Sequence, residues 1–199
     1  MNLSYVLNRL KHKIIAPINR HLFHLATKEV FLLPSEDNFE QNNPIIILSM
    51  LQEKDVQMYL LAIKSFLRYI TVNKVVIICD PSLTEKSKAV IKQHIKKIDF
   101  LNAINYQHKK IPTGGTWERL YAISHLVKNH YVIQLDADIL VMFEPKKVLE
   151  ATKLNQSFLL GTNPDYQQLP LESMAQIVNQ WINKWNLQNI KPHIQCKAE

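Results

Sequence analysis

Short apolar runs alternate with segments of helical periodicity through the middle of the chain. Short runs rich in apolar residues and bounded by turn-forming ones predict strands at residues 44–50, 74–79, 101–106 and 131–138. Between them, apolar residues recur every three or four positions, which predicts helices at residues 55–69, 84–97, 116–129 and 145–152. Strands that alternate with helices of this length predict an α/β fold with a doubly wound, mostly parallel sheet and flanking helices.

The N-terminal segment has a different pattern. Residues 3–27 carry apolar residues at helical intervals, and basic residues stand between them: Arg9, Lys11, Lys13 and Arg20. No acidic residue precedes Glu29, so the pattern predicts a basic amphipathic helix, which Pro17 should kink or split. Such a helix either packs on its own domain, the interpretation we favour, or lies on an anionic membrane at the inner face.

The composition is that of an ordinary globular domain. The chain has 199 residues, of which 47% are apolar and 21% are charged, and this excludes disorder of the whole chain. No apolar stretch approaches the roughly 20 residues that span a bilayer. The N-terminus lacks the apolar run and cleavage site of a secretory signal, and Cys79 and Cys196 have no metal-site spacing. A cytoplasmic protein with unpaired thiols is therefore expected.

Charge and glycine content narrow the class of ligand. The net charge of +7 attracts polyanions without selecting among them. No zinc-finger spacing, RNA-binding signature or dense basic stripe occurs, so we expect no nucleic-acid partner. The chain has only three glycines, and neither the G-x-G-x-x-G nor the G-x-x-x-x-G-K-[ST] loop can be built from them: Gly114, Gly115 and Gly161.

Two aspartates stand at the end of the last predicted parallel strand. Asp136 and Asp138 follow the apolar run that begins at Tyr131. Residues i and i+2 on an extended backbone point to the same side, so both carboxylates can converge on one hard cation and on the phosphates that it carries. The alternative is that they cap the next turn or pair with Lys146 and Lys147.

The segment before this strand adds a second signal. It reads Gly-Gly-Thr-Trp-Glu-Arg-Leu over residues 114–120, a loop that enters a helix. Thr116 is the expected N-cap, Glu118 suits the positive end of the helix, and the two glycines let the backbone bend or approach a ligand. Trp117 is expected in the core.

Together, residues 44–161 resemble the donor-binding half of the GT-A glycosyltransferases, which use an Asp-x-Asp motif. The resemblance implies that a nucleoside-diphosphate sugar, with a UDP-sugar favoured, binds through Mn²⁺ or Mg²⁺ held by Asp136 and Asp138. It also implies further donor contacts. Ser49 and Asp80 are expected at the nucleoside and Arg119 at the phosphates, and Gly115 is expected to contact the donor as well. For Asp80 a purely turn-forming role, and for Arg119 pairing with Glu118 or Asp138, are the alternatives.

Three other classes share part of this pattern. Haloacid-dehalogenase-like phosphatases also have an Asp-x-Asp, but normally after their first strand and followed by a further acidic pair, which this chain lacks. Nucleotidyltransferases usually begin with a Gly-rich, Arg-containing loop, and residues 49–54 are no such loop. A non-catalytic or incomplete GT-A-like nucleotide-binding domain is the main alternative.

The remainder of the chain is short for an acceptor site. Residues 157–162 predict a strand and 172–185 a helix. Asp165, Glu172 and His193 are candidates for a catalytic base or a third metal ligand, although a solvated position is favoured for each. We expect three segments: an N-terminal helical extension and linker (1–43), a GT-A-like nucleotide-sugar-binding domain (44–165) and a C-terminal helical segment (166–199).

Overall fold

The computed structural model describes residues 3–158 except 110 and 115, together with residues 173 and 176, and of residues 3–14 only the backbone. The described residues before Phe158 belong to one compact unit, Met1–Ser157. Its helices are α1 (Leu3–Thr27), α2 (Val56–Leu67), α3 (Glu85–His94), α4 (Trp117–Leu126) and α5 (Lys146–Lys153). Its strands are β1 (Ile45–Leu51), β2 (Lys74–Cys79), β3 (Ile98–Asn102) and β4 (Tyr131–Gln134).

The four strands form one parallel sheet in the order β3-β2-β1-β4. Ile47 of β1 is paired with Val75 of β2 on one side and with Ile133 of β4 on the other. Each strand is joined to the next by a segment that contains a helix, because parallel neighbours need a crossover connection. The predicted α/β class, with a parallel sheet and flanking helices, is confirmed.

Helices cover both faces of this sheet. Alternate residues of β1, Ile46 and Leu48, point to the face on which α4 packs through Ala122. Ser49 points to the opposite face, where it meets Tyr59 of α2. Because β1 is covered on both faces, its side chains from Ile46 to Ser49 are fully buried, which explains its uninterrupted apolar sequence.

The third predicted strand is wrong in its boundaries. The strand is Ile98–Asn102, and Ala103–Tyr106 forms a 3-10 helix, whereas the sequence pattern predicted a strand at residues 101–106. β3 lies at the edge of the sheet, and in it intermediate and exposed residues replace a buried run. Asp99 is therefore tolerated inside it, and the polar residues around it hide the start of the strand from a search for apolar runs.

Helix α1 is continuous from Leu3 to Thr27 with Pro17 inside it. Of the two predicted effects of this proline, the split is wrong, and the kink stays a prediction. A proline removes one backbone donor, and the residues on either side continue the helix. Among the helices that the structure describes, none is long and apolar enough to cross a membrane. The cytoplasmic location stays a prediction. The division of the chain into three segments also stays a prediction, because its boundary at residue 165 lies outside the described residues.

The start of α3 provides a direct test of the local sequence signals. Thr84 is the N-cap, as predicted, and its hydroxyl accepts a hydrogen bond of 3.2 Å from the Ser87 amide. We expect Thr84→Ala to lower the free energy of unfolding by about 1 kcal/mol, because that amide loses its partner. Urea unfolding of the two proteins measures the difference.

Thr84→Ser is the matched control, since serine retains the hydroxyl and should stay within a few tenths of a kcal/mol of the parent. An equal loss of stability in the alanine and serine variants would show that the capping bond is not the cause.

Candidate functional site

The carboxyl ends of β1 and β4 meet where the strand order reverses. From β1 the chain builds β2 and β3 toward one edge and then places β4 against the other side of β1. Such a switch point in a parallel sheet leaves a crevice at the strand ends, where ligands bind. The Leu135 amide still donates to the Leu48 carbonyl, so the chain follows β1 up to the residue before Asp136. The strand itself ends at Gln134, short of the predicted end at residue 138, and Asp138 lies in a turn, so the extended backbone expected between the two aspartates is absent. Asp136 and Asp138 therefore lie just beyond the end of β4, at the switch point.

The guanidinium of Arg119, in helix α4, lies at the same end of the sheet. Arg119, in its first turn, donates from Nη1 to Oδ1 of Asp136 at 2.6 Å. The arginine side chain is 15% exposed and the aspartate side chain 52% exposed. The pair is therefore half-open to solvent, with the arginine held against the protein and the carboxylate facing outward. Of the two partners considered for Arg119, Glu118 and Asp138, neither is the one observed.

Asp138 has no ion pair or hydrogen bond with any residue that the structure describes, and it is exposed. Pairing of Asp136 or Asp138 with Lys146 or Lys147 does not occur within the described ranges. One carboxylate thus carries a cationic partner and the other faces solvent. Carboxylate oxygens are the donors that Mg²⁺ and Mn²⁺ prefer, so the chemistry of this pair fits such a cation.

The protein provides few ligands beyond this pair. Within residues 3–158, as far as they are described, no group of three or more His, Cys, Asp and Glu side chains could hold a metal ion. A cation at Asp136 and Asp138 would complete its coordination with water or with oxygens of a ligand. This is usual for Mg²⁺, which keeps several waters and is bound by one or two carboxylates together with phosphates.

Glu118 is a buried member of the site that the sequence pattern missed. It is 3% exposed, and its Oε1 accepts a 2.7 Å hydrogen bond from the Gly114 amide and a 3.4 Å one from Gln107. The Gly114 bond lowers the pKa of Glu118, against the opposing effect of burial. Glu118 Oε2 and Arg119 Nε are buried and have no hydrogen-bond partner among the described residues.

The entry to α4 differs from its prediction in two ways. Thr116 occupies the N-cap position, but its side chain makes no capping bond, and Glu118 binds the Gly114 amide of the preceding loop. Gly114 has a φ of +85°, a conformation that favours glycine, so it bends the chain as expected. Trp117 is 45% exposed and therefore not a core residue. The sequence signal for the Glu118–Gly114 hydrogen bond was a glutamate in the first turn of the helix, three or four residues after a glycine.

Ser49 is fully buried in β1 and hydrogen-bonded within the protein. Its Oγ donates to the Leu135 carbonyl at 2.8 Å, which ties the end of β1 to the residue before Asp136. Its hydroxyl therefore positions the aspartate segment. The expectation that the backbone here borders the nucleoside stays a prediction.

Asp80 follows β2 and forms a turn with its side chain. Its Oδ1 accepts from the amide of Ser82 at 2.9 Å and from its hydroxyl at 2.6 Å. The turn-forming role weighed for this residue is present, and contact with a nucleobase stays a prediction. Three further predicted site residues lie outside the described residues: Gly115, Asp165 and Glu172. His193 lies outside them as well.

Comparisons with known proteins give weak similarities only. No protein-family model matches the chain, and a search of curated proteins finds no match. The chain is similar to two solved structures of the mannosyltransferase Ktr4p from S. cerevisiae, one of them in complex with GDP. The identities are 11% and 12%, and the TM-scores are 0.36 and 0.35.

The aligned regions cover 66% and 67% of this chain but 46% and 48% of those structures, so the chain spans about half their length. At these TM-scores the likeness carries no argument about this protein. Its fold rests on the strand pairing described above, and its function has to be argued from its own residues.

The buried Glu118 carboxylate should make stability depend on pH. We expect Glu118→Gln to lower the free energy of unfolding at pH 7 by about 1–2 kcal/mol, because the Gly114 amide loses a charged acceptor. The pKa of Glu118 is lowered in the folded protein, so its stabilising effect is present above the usual value of 4.5 and is lost as pH falls through the lowered pKa. The stabilities of the parent and of Glu118→Gln should therefore become equal at low pH. Urea unfolding of both proteins from pH 7 to pH 3 measures the difference.

Glu150→Gln is the control, because Glu150 is an exposed residue of α5 that makes no side-chain hydrogen bond in the described structure. The same pH dependence of stability in the two variants would contradict a special role for Glu118.

Proposed function

We propose that this protein is a metal-dependent glycosyltransferase, or the donor-binding part of one, which moves a sugar from a nucleoside-diphosphate sugar to an acceptor. The observation that carries the proposal is the meeting of a guanidinium and a pair of carboxylates at the switch point of a parallel sheet. Arg119 and Asp136 are in contact there, and Asp138 follows two residues later. Ligands of parallel α/β sheets bind at this place.

The charges of the site favour a cation and a phosphate together over either alone. Without ligand, the guanidinium of Arg119 offsets one of the two aspartates. A diphosphate alone would add negative charge beside Asp138, which has no cationic partner among the described residues. A divalent cation that accompanies the diphosphate offsets this charge, so binding of the phosphates should require the metal.

The Arg119–Asp136 pair leaves atoms free for both ligands. The recorded bond joins Nη1 to Oδ1. Nη2 of Arg119 can therefore donate to a phosphate oxygen, and Oδ2 of Asp136 can face a cation. A guanidinium suits phosphate because its donors form a planar fork. The ion pair keeps both side chains in place before the ligand arrives, which reduces the entropy lost on binding.

In this proposal Asp136 and Asp138 hold Mn²⁺ or Mg²⁺, and Arg119 binds the phosphates of the donor. The cation supplies stabilisation of the charge that develops on the phosphate oxygens when the nucleoside diphosphate leaves. The chain segments at Ser49 and Asp80 border the nucleoside, Gly115 is a further donor-binding residue, and a UDP-sugar is the proposed donor. Glu118 acts on the donor only indirectly, because it holds the Gly114 loop at the start of the helix that carries Arg119.

Metal-dependent nucleotide binding is the first consequence. We expect UDP to bind in the presence of Mn²⁺, and Asp138→Asn to weaken this binding roughly tenfold or more, because the cation loses a charged ligand. Isothermal titration calorimetry with UDP, and with GDP for comparison, measures the affinities with Mn²⁺ and with EDTA.

Asp99→Asn is the matched control, since it removes the same charge from an exposed aspartate of β3 that pairs with Lys74. It should bind UDP as the parent does. Equal affinity with Mn²⁺ and with EDTA would refute the metal site.

Turnover separates a transferase from a binding domain. With water as the acceptor, we expect slow Mn²⁺-dependent release of UDP from at least one UDP-sugar. Asp138→Asn should lower this rate roughly a hundredfold or more, because several kcal/mol of charge stabilisation are lost. Chromatography of a set of UDP- and GDP-sugars after incubation measures the release. Metal-dependent binding without turnover of any donor would leave a nucleotide-binding domain and contradict the transferase.

A further inference from the structure

Helix α1 carries a row of exposed apolar side chains. Its members are 40%, 54%, 57% and 51% exposed, and we call them the α1 stripe: Ile15, Ile18, Leu22 and Leu25. Their spacing places them within about 80° of one another around the helix axis, so they form one continuous surface. Single exposed apolar residues are common on proteins, whereas a contiguous row of them marks an interaction surface.

The contact of α1 with the rest of the domain lies on another side of the helix. Nε2 of Gln57 in α2 donates to the His24 carbonyl at 2.8 Å and to Oγ1 of Thr27 at 2.9 Å, and its Oε1 lies 3.0 Å from Nδ1 of His24. His24 lies roughly 140° around the helix from the middle of the α1 stripe. The domain therefore contacts the C-terminal end of α1 through polar groups, and the α1 stripe faces outward.

The charge of the same segment identifies the surface that it fits. Residues 3–27 contain no aspartate or glutamate, and four basic residues alternate with the apolar ones: Arg9, Lys11, Lys13 and Arg20. Arg20, the one of these whose side chain is described, is exposed. By the same spacing, Arg20 lies roughly 180° around the helix from the middle of the α1 stripe. An apolar stripe opposite a face with uncompensated positive charge is the pattern of a helix that lies among anionic headgroups with its apolar side toward the lipid tails.

A second copy of the chain is the competing occupant. The α1 stripe has the spacing of the a and d positions of a coiled coil. The same frame extended toward the N-terminus falls on Lys11, Asn8 and Ser4, which would interrupt the seam. Two such helices would also bring like charges together with no acidic residue to pair them. The like-charge objection does not apply to an anionic membrane, because its headgroups pair with the positive charges.

We propose that α1 docks this protein on an anionic membrane, with the helix in the plane of the headgroups and the α1 stripe inserted among the acyl chains. The helix lies on the bilayer rather than crossing it, because it lacks the apolar length of a span. The inference is independent of the proposed transfer reaction, since it uses no residue of the candidate site.

The test is sedimentation of the full chain with vesicles of phosphatidylcholine, with and without phosphatidylglycerol. The parent protein should sediment with the anionic vesicles only, and less so at high salt because the charges are screened. Leu22→Glu should lower the partition constant roughly tenfold or more, since an inserted leucine is replaced by a charge. Arg20→Glu should weaken binding to anionic vesicles without altering the stripe.

The matched control is Ile104→Glu, which makes the same kind of change at a side chain 69% exposed, in the 3-10 helix Ala103–Tyr106. It should bind vesicles as the parent does, and circular dichroism should show all variants folded. Absence of sedimentation with anionic vesicles, or equal loss of binding in Leu22→Glu and Ile104→Glu, would overturn the proposal. So would a parent dimer in sedimentation velocity that Leu22→Glu dissociates, because the stripe would then be a contact between copies.

Discussion

Strand β1 is paired on both of its edges, with β2 on one side and β4 on the other. The candidate site depends on the second of these pairings. Because β4 is parallel to β1, its carboxyl end lies at the same edge of the sheet as that of β1. The Ser49 hydroxyl then ties β1 to the Leu135 carbonyl, one residue before Asp136. Backbone pairing therefore positions the aspartates more than any contact that their own side chains make.

The electrostatics of the site follow from the first turn of α4. Neighbouring residues there take opposite roles: Glu118 turns into the protein and binds the Gly114 loop, while Arg119 turns toward the strand ends and binds Asp136. Buried charge is costly unless it is hydrogen-bonded, and the Gly114 amide provides that bond for Glu118. The loop, the helix start and the strand end are thus connected by charged groups of alternating sign.

In helix α1 the residues that bind the domain differ from the residues that are exposed as an apolar surface. Polar bonds from Gln57 hold its C-terminal end, and they leave the apolar side unused within the described residues. In an ordinary surface helix the apolar face makes the contact with the domain. In α1 the polar side makes this contact and the apolar side is exposed, and this arrangement supports the proposed binding of the α1 stripe to a membrane.

Local pattern determined much of this protein. The apolar runs predicted β1 and β2, and the start of β4, which ends at Gln134 rather than at Asp138. The spacing of apolar residues predicted the helices between them, and Thr84 was recognised as a cap because capping depends on a few adjacent residues. The pattern failed at β3, where an edge position permits polar residues and removes the apolar run. It also missed the burial of Glu118 and the exposure of Trp117, since both depend on how the loop before α4 packs.

Tertiary structure alone decided the partner of each charge and the direction of each helix face. The sequence shows that Arg119 and Asp136 both exist, but they are 17 residues apart, and only the placement of β4 beside β1 brings α4 to the end of that strand. The sequence likewise shows that α1 is amphipathic. Which face meets the domain was settled by Gln57, more than 30 residues away, because periodicity records where apolar residues lie on a helix and not what surrounds it.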